Sequence, residues 1–85
     1  VWVRDERWSD VQEWTLRAAT TDADGEPPGD DGWTCLRLEF MDHLHAMTIL
    51  LRLGPDACVI TPMRLRQDLL DYVDRMRERY RADGV

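Results

Sequence analysis

Leu44-His45-Ala46-Met47-Thr48-Ile49-Leu50-Leu51-Arg52-Leu53 is followed by Gly54-Pro55, then by Ala57-Cys58-Val59-Ile60, then by Thr61-Pro62-Met63-Arg64-Leu65-Arg66. The first of these segments is a run of mostly apolar helix formers. Gly54 suits the left-handed position past a helix end and Pro55 cannot continue the helix, so the stop is encoded locally. Ala57 to Ile60 reads as a short β-type run. Thr61 as cap and Pro62 at the first helical position form the matching start signal, because proline has no amide hydrogen to leave unbonded there. From that start Leu65, Leu69, Tyr72, Val73, Met76 and Tyr80 recur at helical spacing, which predicts an amphipathic helix running to Tyr80.

Working back toward the amino end, Asp42 is placed to cap the apolar helix through its carboxylate. Leu44, Ala46, Met47, Ile49, Leu50, Leu51 and Leu53 cover more than one stripe of that helix, so its own sheet does not suffice to bury it. Either the last helix or a second subunit covers the remainder. Trp33 to Phe40 alternates with period two and puts Leu36, Leu38 and Phe40 on a buried face. Val11 to Thr21 also reads as a strand, with Trp14 and Leu16 toward the core. Residues 20–32 hold Asp22, Asp24, Gly25, Glu26, Pro27, Pro28, Gly29, Asp30, Asp31 and Gly32, the composition of a long, flexible hairpin loop. The opening, Val1-Trp2-Val3-Arg4-Asp5-Glu6-Arg7-Trp8, fits a strand and a short helix equally well.

The chain has 85 residues, the size of one small domain that hides only about 60 to 65% of its unfolded surface. At 44% hydrophobic and 33% charged residues it carries enough apolar surface to fold as a single unit over residues 1–85. Its formal charge of −6 opposes non-specific attraction to phosphate backbones or anionic lipid, so no direct nucleic-acid binding by this stretch is expected. All eleven basic residues are arginine, in keeping with a GC-rich bacterial gene. No secretory signal, membrane span or lipidation motif is present, and the natural setting is cytoplasmic.

Cys35 and Cys58 belong to no Cys-x-x-Cys pair and sit inside apolar runs, where free cysteine behaves as a small hydrophobe. His43 and His45 would point about 200 degrees apart on a helix, so one metal ion does not easily bind both. No phosphate loop, no Gly-x-Ser-x-Gly and no nucleophile with a placed base is found, and the acids of the loop have nothing to shift them toward catalytic use. The expectation is a protein without catalytic, cofactor or metal sites. Trp2, Trp8, Trp14 and Trp33 fall in the first half of the chain with acids near them, which suits large buried area in a core or interface better than base stacking.

The order helix, Leu53-Gly54, short strand, Pro62-x-x-Leu65-Arg66, helix, Tyr80 resembles the C-terminal extension, or WCX, domain of bacterial WYL-domain transcriptional regulators, over roughly Trp2 to Tyr80. The resemblance implies an α+β, ferredoxin-like layer of antiparallel strands packed on helices. Gly54, Pro62, Leu65, Arg66 and Tyr80 are then structural punctuation. It also implies a longer parent protein, with WYL and helix-turn-helix domains upstream, in which this piece supports dimerisation and couples a bound signal to transcription control. In the family, a stretch like Trp2-Val3-Arg4-Asp5-Glu6-Arg7-Trp8 closes the first helix, which would put the first strand before Val1. Because the ferredoxin arrangement places its first strand centrally, either Val1 to Arg4 supplies it or another chain fills the gap by exchange.

Two functions follow from this reading. One is a non-catalytic regulatory and dimerisation domain, a homodimer with Trp2, Trp8, Met47, Leu50 and Leu51 as candidate interface. The other is a small-ligand sensor of ferredoxin-like type, taking a metabolite or nucleotide at the sheet or under the long loop.

Overall fold

The computed structural model describes residues 1–22, 25–29 and 32–82. Its strands are β1 (Trp2–Arg4), β2 (Arg17–Thr20), β3 (Trp33–Glu39) and β4 (Ala57–Cys58), and its helices are α1 (Trp8–Trp14), α2 (His43–Leu53) and α3 (Met63–Ala82). The strands form one sheet in the order β2-β3-β1-β4, every neighbouring pair antiparallel. This is the ferredoxin-like β-α-β-β-α-β order with a third helix appended, an α+β fold.

Val3 explains why the opening is a strand rather than the end of a helix. In β1 it is 1% exposed while its neighbours are half-buried, the alternation of a strand with one covered face. Trp2 lies opposite Cys35 on one side and Cys58 on the other, and Val3 lies opposite Thr34 and Ala57. Residues 2–4 therefore supply the central strand, and the placement of that strand before Val1 is corrected. Of the two ways to fill the gap, the chain's own residues do so.

The strand expected from Val11 is also corrected. Trp8, Val11 and Trp14 recur every three positions, and it is this spacing that packs. Val11 is fully buried in α1, with Trp8 and Trp14 against the same core. The Thr15 hydroxyl donates to the Val11 carbonyl at 2.7 Å and its amide to the same oxygen at 3.1 Å, which closes the helix. Leu16, expected in the core, is 64% exposed at the bend into β2. Residues 20–32 link β2 to β3 with Thr20 still in the strand; the part of the expected loop at 23, 24, 30 and 31 lies outside the described residues.

The core sits between one face of the sheet and the helices. Val3, Leu36 and Val59 come from the sheet side, Val11 from α1, Ala46, Ile49, Leu50 and Leu53 from α2, and Leu65 from the first turn of α3. Leu38 and Phe40 are half-buried at its margin, on the face expected for them. α2 begins as its sequence predicts, with Asp42 Oδ1 accepting from the His45 amide at 2.8 Å, and ends at Gly54, whose φ of 60° is open to glycine at little cost. α3 starts one residue later than predicted. Pro62 is its cap, its carbonyl accepting from the Arg66 amide at 3.2 Å, so it still contributes no unpaired amide. β4 is shorter than the expected run, pairing only at Ala57 and Cys58.

The end of β1 nearest α1 is clamped by charge. Asp56 receives Arg4 and Arg7, each at 3.8 Å, Arg7 also reaches Asp10 at 3.2 Å, and the Arg52 guanidinium lies 4.1 Å from the centre of the Trp14 ring. Partly shielded pairs of this kind contribute modestly one by one, but here they join β1, α1, α2 and the turn before β4.

Leu36→Ala is expected to lower stability by about 2 to 5 kcal/mol, the range for a fully buried leucine. Leu16→Ser should change it by less than about 0.5 kcal/mol. Urea denaturation followed by circular dichroism measures both, and reversed magnitudes would contradict the assignment of faces.

Candidate interface along the last helix

α3 is twenty residues long and α2 eleven, which at 1.5 Å per residue makes them about 30 and 16 Å. α3 therefore outruns what α2 covers. Leu65 in its first turn is 5% exposed and Leu69, a turn later, is half-buried. The same face then continues through Tyr72, Val73, Met76 and Tyr80, all exposed, with Tyr80 at 59%. The stripe is a single amphipathic face by sequence, and the fold buries only its first two members.

Two grooves flank the point where α3 leaves the body. One, of about 280 Å³, is walled by Leu50, Leu51, Val59, Leu69, Leu70 and Val73 beside β4. The other, of about 380 Å³, lies between α2 and α3 and is walled by Leu44, Met47, Leu51 and Tyr72. Across its upper end Nε2 of His43 donates to Oδ2 of Asp68 at 2.8 Å, and Arg64 lies 3.9 Å from the same carboxylate oxygen. His45 serves elsewhere: its Nδ1 accepts from the Met41 amide at 3.0 Å, and its ring meets Phe40 edge-on. The two histidines thus diverge, and among the described residues no three histidine, cysteine or acidic side chains converge as a metal site.

Charge runs along α3 in two blocks. From Gln67 to Asp74 there are three acids, Asp68, Asp71 and Asp74, and no base; from Arg75 to Arg81 there are four arginines and one glutamate. The basic block suits the negative pole of the helix. Local pairing is partial. Arg77 meets Asp74 at 3.1 Å and Arg81 meets Glu78 at 3.9 Å, Asp71 accepts from Gln67 at 3.3 Å, and Arg75 lies over the Tyr72 ring.

Of the candidate interface residues, Met47 and Leu51 do lie on the groove between α2 and α3. Leu50 belongs to the core at 4% exposure, because α2 turns it inward beside Ala46 and Ile49. Trp8 packs against the core from α1. Trp2 is half-buried on the opposite side of the sheet, away from Val3. Gly54 and Pro62 close and open the helices either side of β4, Leu65 is core, Arg66 borders the groove beside β4, and Tyr80 ends the uncovered stripe. Leu70, Val73 and Met76 were not singled out as interface by sequence. Their pattern was visible, but an amphipathic stripe does not reveal how far its cover extends.

Among the described residues no helix is long and apolar enough to cross a membrane. Cys35 and Cys58 are free, the first buried and the second half-buried.

The strand order β2-β3-β1-β4 with its helices defines a ferredoxin-like α+β layer. The WCX domain family matches residues 1–77, and the chain belongs to that family. No curated protein and no solved structure matches it.

The face of α3 predicts a gradient in mutational cost. Leu65→Ala should lose about 2 to 5 kcal/mol, whereas Met76→Ala, on the same stripe, should lose less than about 0.5 kcal/mol in dilute solution. Thermal or urea unfolding at micromolar concentration measures the difference, and equal costs would mean that the second half of α3 is covered after all.

Proposed function

We propose that this WCX domain is a non-catalytic assembly module of a larger bacterial DNA-binding regulator, and that a second copy covers the exposed stripe of α3. One observation carries the reading: a helix face buried at Leu65 and Leu69 continues uncovered through Val73, Met76 and Tyr80. Contiguous exposed apolar surface of this kind marks an interaction site.

The charge blocks choose the partner and the direction. An antiparallel pairing of two α3 helices about a dyad between Asp74 and Arg75 sets the acidic block of each against the basic block of the other. It brings Val73 toward Met76 and Leu69 toward Tyr80 across the axis, an isologous contact that closes at two copies. A parallel pairing would set like blocks side by side. A single helix pair with a short apolar seam lies at the small end of stable interfaces, so the dimer should depend on concentration, and on salt through its charged rim. The overall charge of −6 fits a module that leaves operator contact to another part of its parent protein.

Light scattering of the purified chain across a wide concentration range is expected to show a rise from monomer to dimer mass. The Val73→Asp, Met76→Glu double variant should stay monomeric with an unchanged helical spectrum. A wild-type chain that remains monomeric at the highest concentration, or a double variant that dimerises as well as the wild type, overturns this reading.

A further inference from the structure

The groove of about 280 Å³ beside β4 is walled by Leu69, Leu70 and Val73 from α3, by Leu50 and Leu51 from α2, and by Val59 just after the strand. β4 is an edge strand that pairs with β1 alone, so no further strand closes the groove. Leu50 and Val59 are core residues at 4% and 6% exposure, whereas Leu70 and Val73 stand 50% and 49% exposed. The floor of the groove is finished and its α3 wall is not.

Tyr80 stands eleven positions after Leu69. At 3.6 residues per turn that is close to three full turns, so the two side chains leave α3 within about 20° of each other. Val73 shares the direction of Tyr80 to within about 20° as well, whereas Tyr72 is turned about 80° from it, toward the groove between α2 and α3. Tyr80 therefore belongs to the side of α3 that carries the groove beside β4. Within one chain it does not reach that groove, because it lies about 16 Å further along the helix than Leu69. A large aromatic ring with a polar tip, 59% exposed on the free end of a helix, has the form of an interface anchor.

We propose, resting on the antiparallel assembly of α3, that Tyr80 of each copy seats in the groove beside β4 of the other. A dyad between Asp74 and Arg75 puts Tyr80 of one helix level with Leu69 of its partner, each about 8 Å along the helix from the axis. Sliding one helix by a turn in either direction lays part of an acidic or basic block against its like, so charge holds the tyrosine level with the groove. Helical side chains lean toward their own amino end, which in an antiparallel partner is the direction from Leu69 to Val73. The ring then lies along Leu69, Leu70 and Val73, the wall that the single chain leaves unfinished. Its phenol oxygen stays at the rim, where Arg66 lines the groove and offers a donor.

The test measures dimer dissociation constants for the wild type, Tyr80→Ala, Tyr80→Phe and Leu70→Asp by sedimentation, with circular dichroism to check that each keeps the wild-type helix content. Each dimer seats two tyrosines, so Tyr80→Ala is expected to weaken it about a hundredfold, and Tyr80→Phe by less than about tenfold. Tyr80→Ala, carrying a fluorescent label, is then mixed with Leu70→Asp. Their heterodimer keeps one intact seat, the tyrosine of the second variant in the groove of the first, which neither homodimer has. It should form about tenfold more tightly than either. A wild-type dimer that Tyr80→Ala leaves unchanged overturns this proposal and leaves the α3 assembly standing. So does a mixture no tighter than its components, or a Tyr80→Phe loss as large as that of Tyr80→Ala. A wild-type chain that stays monomeric at every concentration overturns both.

Discussion

Three residues hold this sheet together. β3 and β4 do not touch; both hydrogen-bond to β1, and β1 is Trp2, Val3 and Arg4. A strand in the middle of a sheet has to satisfy a ladder on each side, and its inward side chain must lie under both helices. Val3 meets that demand at 1% exposure. The charged clamp from Arg4 and Arg7 to Asp56 fixes one end of this strand, tying it to the turn that enters β4. The start of α3 inherits its position from there, through Val59 and Leu65 in the same core. β4 pairs with it at two positions, Cys58 opposite Trp2 and Ala57 opposite Val3.

That arrangement explains which parts of the fold were legible in the sequence. Signals that act through neighbouring atoms were read directly. Asp42 caps α2, Gly54 ends it with a positive φ, and Pro62 opens α3 to within a residue, because a cap or a stop is decided by backbone geometry a few bonds away. The ferredoxin-like order followed from the element sequence and the resemblance together. The region from Val1 to Leu16 was not legible in the same way. Its apolar residues satisfy period two and period three at once, and choosing between them depends on Val11 reaching a core built mostly from residues more than thirty positions later. Leu16 shows the cost of the wrong period, since it fits the strand pattern yet faces water.

The tryptophans illustrate the same limit on the functional side. In sequence they have acids around them, which argued against stacking on bases. In the fold, Trp33 and Arg4 are register partners, and the Arg4 guanidinium lies 4.8 Å from the centre of the Trp33 ring. Trp14 takes Arg52 in the same manner and Arg7 more loosely at 5.6 Å. At Trp14 and Trp33, aromatic faces that would serve an external ligand are thus engaged by the chain's own arginines. This supports the structural role for these residues through a pairing that linear distance conceals.

The exposed face of α3 presents side chains rather than backbone. Along α3 the backbone of the turns around Tyr72 and Val73 lies inside the helix and is bonded within it, so there only side chains would be exchanged with water when a partner leaves. Such a contact can form and dissociate with concentration and salt, which suits a step that regulation acts on. On the proposed assembly reading the reversible event falls to the helix face, where a partner exchanges side chains and leaves the hydrogen bonds of the helix untouched.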